Sequence, residues 1–124
     1  MTSRVEGMDA LKRRLAAFTA QTRAEVRKAL DTSADEMVAT ARALAPVDEG
    51  DLRNSIRKAD GDHELEVSVL AGDERAFYAR FVEFGRAGQP ARPFFWPAYR
   101  ALQKRIRSRI SRATNAAAKK AANR

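Results

Sequence analysis

The chain has 124 residues, no cysteine and a formal net charge of +8, with 44% hydrophobic, 32% charged and 7% aromatic residues. That length suits one domain around one core, burying roughly two-thirds of the surface an unfolded chain exposes. The composition excludes disulfides and thiolate metal sites, and with Arg4 and Glu6 near the start and charges spread throughout, neither a leader peptide nor a membrane span is expected.

The charge is unevenly placed. Residues 1–97 hold fifteen Lys or Arg against sixteen Asp or Glu, whereas residues 98–124 hold nine Lys or Arg and no acid. The whole excess therefore lies in the C-terminal segment, which suits either a solvated end or a surface that meets nucleic acid or an acidic protein.

In chain order, Met8, Leu11, Leu15, Phe18, Val26, Leu30, Met37, Ala41 and Leu44 recur at helical steps. The spacing predicts a long N-terminal helix of roughly 36 residues, about 54 Å at about 1.5 Å per residue. Such a helix outruns a small domain, so a break is expected near Asp31-Thr32-Ser33, where the residue types favour capping. Pro46 ends the helix, because it lacks an amide hydrogen and disfavours helical backbone at Ala45. Val47 to Asp51 reads as a tight connector in which Gly50 permits positive φ. Leu52 to Lys58 and His63 to Leu70 then flank Ala59-Asp60-Gly61-Asp62, and the alternation of Leu65, Val67 and Val69 predicts a β-hairpin with one buried face.

Phe77, Tyr78, Phe81, Val82 and Phe84 suit a helical turn, with a third strand as the alternative. Gly85 to Pro93 is a loop by composition, and Pro97 suits the first turn of a helix. That C-terminal helix carries Tyr99, Leu102, Ile106, Ile110 and Ala113 on one stripe and bases elsewhere. Beyond it, residues 114–124 offer nothing large to bury and are expected to fray. The predicted fold is α+β: one domain over residues 1–113, containing a long helix, a small antiparallel sheet and a basic helix, followed by a basic tail.

Catalytic candidates are few. His63 stands without cysteine or a nucleophile pattern and reads as an exposed strand residue, while Asp48, Glu49 and Asp51 lack calcium-loop spacing and read as turn caps. Gly85-Arg86-Ala87-Gly88 lacks the lysine and hydroxyl pair of a phosphate loop. Glu83 sits among Phe81, Val82 and Phe84, a setting that suits either a general acid or, as we favour, a carboxylate held by an arginine or by backbone amides of the Gly85–Ala91 loop. No cofactor or metal is expected.

Three motifs occur in order: Ala45-Pro46-Val47 with Gly50-Asp51-Leu52-Arg53-Asn54-Ser55-Ile56, then Tyr78-Ala79-Arg80-Phe81-Val82-Glu83-Phe84-Gly85, then Pro90-Ala91-Arg92-Pro93-Phe94-Phe95-Trp96-Pro97-Ala98. Across residues 43–101 this resembles the siphophage tail-completion, or neck, proteins of the Hong Kong 97 type related to lambda gpZ. It departs from them at Glu49 and Arg86, where that pattern has threonine. The resemblance implies a non-enzymatic virion protein made in the host cytoplasm. It implies a ring, most often of six copies, between the head connector or stopper and the tail-terminator or tail-tube proteins, with DNA in the channel and no membrane. Pro46, Gly50, Leu52, Glu83, Gly85, Pro93 and Pro97 are then expected to shape loops. Phe94, Phe95, Trp96, Tyr99, Arg100, Leu102, Lys104, Arg107 and Arg109 are the expected interface, although Phe94 to Trp96 equally suit closure of the domain's own core. The second reading is a basic nucleic-acid-binding protein resting on the C-terminal helix.

Overall fold

A computed structural model describes residues 19–46, 50–74 and 76–122. Its elements are α1 (Ala20–Leu44), α2 (Gly50–Ser55), β1 (Arg57–Asp60), β2 (Val67–Leu70), α3 (Ala79–Phe84) and α4 (Phe95–Ala122). The architecture is α+β, as the sequence predicts. No helix among the described residues is long and apolar enough to cross a membrane.

Helix α1 starts later than its periodicity suggests. Thr19 is extended (ψ 165°), and its side chain accepts a hydrogen bond from the Thr22 amide, satisfying one of the free donors at the helix start. The stretch from Met8 to Phe18 lies outside the described residues. The expected break at Asp31-Thr32-Ser33 does not occur, because each polar group there is used within a continuous helix. Asp31 pairs with Arg27 and Lys58, the Thr32 hydroxyl donates to the Lys28 carbonyl, and Ser33 accepts from Arg109. Pro46 does end the helix: Ala45 has already turned to ψ 142°.

The segment predicted as a first strand from Leu52 divides in two. Gly50 opens the short helix α2, and positive φ occurs only at Gly72, Gly85 and Gly88 among the described residues, so Gly50 does not serve as a left-handed turn. Leu52, Ser55 and Ile56 are buried, and the Ser55 hydroxyl donates to the Leu52 carbonyl while accepting from the Gly72 amide. A short helix lets Leu52 and Ile56 enter the core together, one turn apart, which a strand would also permit but without that serine link. The hairpin itself is shorter than expected, pairing Arg57 with Leu70 and Asp60 with Val67, with no third strand among the described residues. Residues 61–66 form its connection, closed by the Gly61 amide on the Glu66 carbonyl. His63 lies in that connection and not in a strand; its Nδ1 accepts from the Leu65 amide.

Helices α1 and α4 lie antiparallel. Lys120 pairs with Glu25, and Arg109 pairs with Glu36, so eleven residues separate the contacts on each helix, as equal rise requires. Alanine permits the approach: Ala34, Ala41, Ala98 and Ala117 are all buried. The main core gathers Met37, Ala41, Leu52, Ile56, Ala79, Phe94 and Ala98, and a second cluster joins Val26, Leu65 and Ala117. Helix α4 thus continues to Ala122, past the point where fraying was expected, because Ala117 is fully buried and Lys120 reaches Glu25. Burial of small side chains and one exposed pair give that end a modest hold. Deleting residues 114–124 should lower the unfolding free energy by about 1–2 kcal/mol, read as a lower urea midpoint at unchanged slope; an unchanged midpoint would show that the segment does not pack.

Candidate functional site

The loop between α3 and α4 is built around Glu83. Helix α3 places this carboxylate inside the protein, 4% exposed, where Oε1 accepts from the amides of Phe94 (3.0 Å) and Phe95 (2.8 Å) and Oε2 from Trp96 (3.1 Å). Those amides have no partner within α4, and their aligned dipoles favour a negative charge. The sequence therefore identified backbone donors correctly but not their place: they belong to the helix start, beyond the Gly85–Ala91 loop. Gly85 makes this return possible at φ 77°, and its amide donates to the Phe81 carbonyl. A Cβ there would stand 2.9 Å from the Ala91 nitrogen, so any larger residue combines backbone strain with a clash. Arg86 and Gln89 close the loop through reciprocal backbone hydrogen bonds. Pro93 is exposed immediately before Phe94, and Pro97 is the third residue of α4, where no amide donor is needed.

The expected interface residues separate into an inner and an outer set. Phe94 and Leu102 are buried, 1% and 8% exposed, so both close this chain's own core. Phe95, Trp96 and Tyr99 are half-buried and continue from Phe94 in a series of edge-to-face contacts with centroids 6.0–6.4 Å apart. Arg109 is held by Glu36 and Ser33 of α1. Arg100, Lys104 and Arg107, at steps of four and three, share the opposite face of α4, exposed and without an ion pair among the described residues.

Other exposed apolar residues escaped the sequence reading. Leu44, Phe77 and Phe84 are 48%, 74% and 56% exposed. Arg80 and Arg86 place their guanidinium carbons 5.5 and 5.0 Å from the Phe81 ring centroid. Beside them a groove of about 580 Å³ is lined by Gly72, Phe77, Arg80, Phe94 and Phe95, among others. The signal was present in the spacing, since Ala76, Ala79 and Glu83 also fall at helical steps and are the buried set.

Electrostatics tie both layers to α1. Its Arg27 contacts Asp31 at 3.3 Å and Asp60 at 2.5 Å, and Lys58 reaches Asp35 at 3.0 Å. Hydrogen bonding to Asp60 holds Arg27 above its ordinary pKa, and hydrogen bonding to Asp35 does the same for Lys58. On the α4 side, the hydrogen bond from Arg105 chiefly holds the Glu36 carboxyl below its ordinary value; burial opposes it, and the hydrogen bond from Arg109 adds to the lowering.

A family model described as the bacteriophage HK97-gp10 tail component matches residues 9–85. The chain belongs to this HK97-gp10-like family. No curated protein and no solved structure matches the chain. The family match takes in α1, α2, the hairpin and α3, and ends at Gly85, so it includes the first two sequence motifs. The third motif, over residues 90–98, and all of α4 lie beyond it. Glu83 is thus a residue of the family region that anchors a helix outside it.

Replacing Glu83 with Ala should lower the unfolding free energy by about 2–3 kcal/mol, because buried amides lose their acceptor. Glu83→Gln, which keeps one carbonyl oxygen but turns an amide donor toward other donors, should fall between the two. A Glu83→Ala protein with the wild-type midpoint would contradict the capping role.

Proposed function

We propose that the chain is a structural subunit of the neck of a long-tailed phage, forming a ring that completes the tail and joins it to the head connector. The observation that carries this reading is membership of the tail-component family over residues 9–85. The ordered motifs support it, as do the outward Leu44, Phe77 and Phe84, which contacts within a virion would cover. A non-enzymatic role is supported by the use made of two of the catalytic candidates: Glu83 accepts from helix amides and His63 accepts from the Leu65 amide. The partners in this reading are further copies, six in the ring, with the stopper on one side and the tail terminator or tube on the other. The protein is made in the host cytoplasm and ends in the virion, with genomic DNA passing through the ring.

Nucleic-acid binding is a second reading, favoured by Arg100, Lys104 and Arg107 along one face of α4. Three such contacts would give free protein a salt slope of about −3 on duplex DNA. The neck reading instead requires docking on heads or tails without DNA. Deleting the gene from its phage should leave filled heads and tails of near-normal length but few joined, infectious particles. Empty heads, or no tails, would assign the chain to packaging or tube growth instead.

A further inference from the structure

Phe77, Phe81 and Phe84 fall at steps of four and three, on one side of the turn that leads through α3. The outer two are the most exposed large apolar side chains described, and the middle ring carries two guanidinium groups. Between residues 76 and 99 the only acid is Glu83, which is buried and bound to amides. Asp73 also lines the groove, and its Oδ1 accepts from the Ala76 amide at 2.8 Å. The side of α3 that faces outward is therefore aromatic and cationic, next to an open groove lined by Phe77, Arg80 and Phe95.

We propose that this face docks a segment of another virion protein that carries carboxylates beside an apolar side chain, a reading that rests on the neck assignment. The groove takes the apolar side chain against Phe77 and Phe95. Arg80 and Arg86 take the carboxylates. A guanidinium resting on a ring still presents in-plane N–H groups to a carboxylate, in Arg86 those beyond the Nε that donates to the Gln89 Oε1 at 3.1 Å. The ring limits the guanidinium's freedom before binding, so little is lost on docking. Aromatic residues and arginine are also the types that dominate protein contacts energetically. A nucleic acid fits this face poorly: Phe81 already carries two guanidiniums, and the evenly spaced cations that a phosphate chain would follow lie on α4.

The test uses the full chain, with heads and tails purified separately from the gene-deleted phage as probes, and measures co-sedimentation across a salt series. Wild type should bind one of the two. Phe77→Ser with Phe84→Ser, and Arg80→Glu with Arg86→Glu, should each weaken that binding by about thirtyfold or more, with melting curves like wild type. Arg80→Lys with Arg86→Lys should be intermediate, since lysine keeps charge but not the two-pronged geometry. If the arginine variants bind like wild type while the phenylalanine variants fail, carboxylates are not what the face reads, and the proposal is overturned. If the phenylalanine changes instead abolish self-association of the free chain in sedimentation velocity, the occupant is a second copy, which overturns it equally. Wild type and all variants binding alike sinks this proposal alone; a wild type that binds neither heads nor tails removes the neck assignment and this proposal together.

Discussion

A buried carboxylate with three amide donors, Glu83 beneath the start of α4, is the interaction on which the arrangement depends. Burying an ion costs several kcal/mol unless its charge is met, and here it is met by the free amides and dipole of a helix start. The two costs offset each other: α4 has donors with no partner of their own, and Glu83 is a buried carboxylate that needs donors. The pairing fixes where α4 begins relative to α3, and hence the placement of Phe94 and Ala98 in the core. Gly85 is the backbone condition for it, since the chain must reverse within the few residues before Phe94.

From that anchor α4 runs back along α1, and α1 becomes the common partner of both layers. Its Arg27, Asp31 and Asp35 meet the hairpin, while Ser33 and Glu36 meet α4. Most of these groups are partly exposed, so each pair contributes little to stability. Their effect is in register: opposite charges at matched intervals select one sliding position between helices whose alanine-rich contact would otherwise tolerate several. The basic residues of the C-terminal segment serve different ends. Arg105, Arg109 and Lys120 pair with α1, Arg112 donates to the Ser108 carbonyl within α4, and Arg100, Lys104 and Arg107 share the face opposite Arg109.

Much of the fold was legible in the residues. The α+β class, the end of α1 at Pro46, the antiparallel hairpin, the helical turn before Gly85 and the α4 start near Pro97 follow from periodicity and from the geometry of proline and glycine. What periodicity did not supply was the tertiary use of polar groups. Asp31, Thr32 and Ser33 look like a helix break until Lys58, the Lys28 carbonyl and Arg109 are present to bind them. Similarly, residues 114–122 look unanchored because alanine gives no large apolar signal, yet a buried alanine is what close helix contact needs. The outer aromatic face was obscured for the opposite reason. Phenylalanines at helical spacing resemble a core stripe, but in α3 the small residues and the glutamate turn inward.

The direct measure of the central interaction is amide hydrogen exchange at Phe94, Phe95 and Trp96 in the wild-type chain, followed by NMR. First-turn amides of a helix ordinarily exchange quickly, since nothing within the helix binds them. Held by Glu83, all of them should be protected to a degree comparable with amides in the middle of α1. Fast exchange at these positions alongside slow exchange in α1 would mean that Glu83 does not bind them in solution, and the placement of α4 would need another cause.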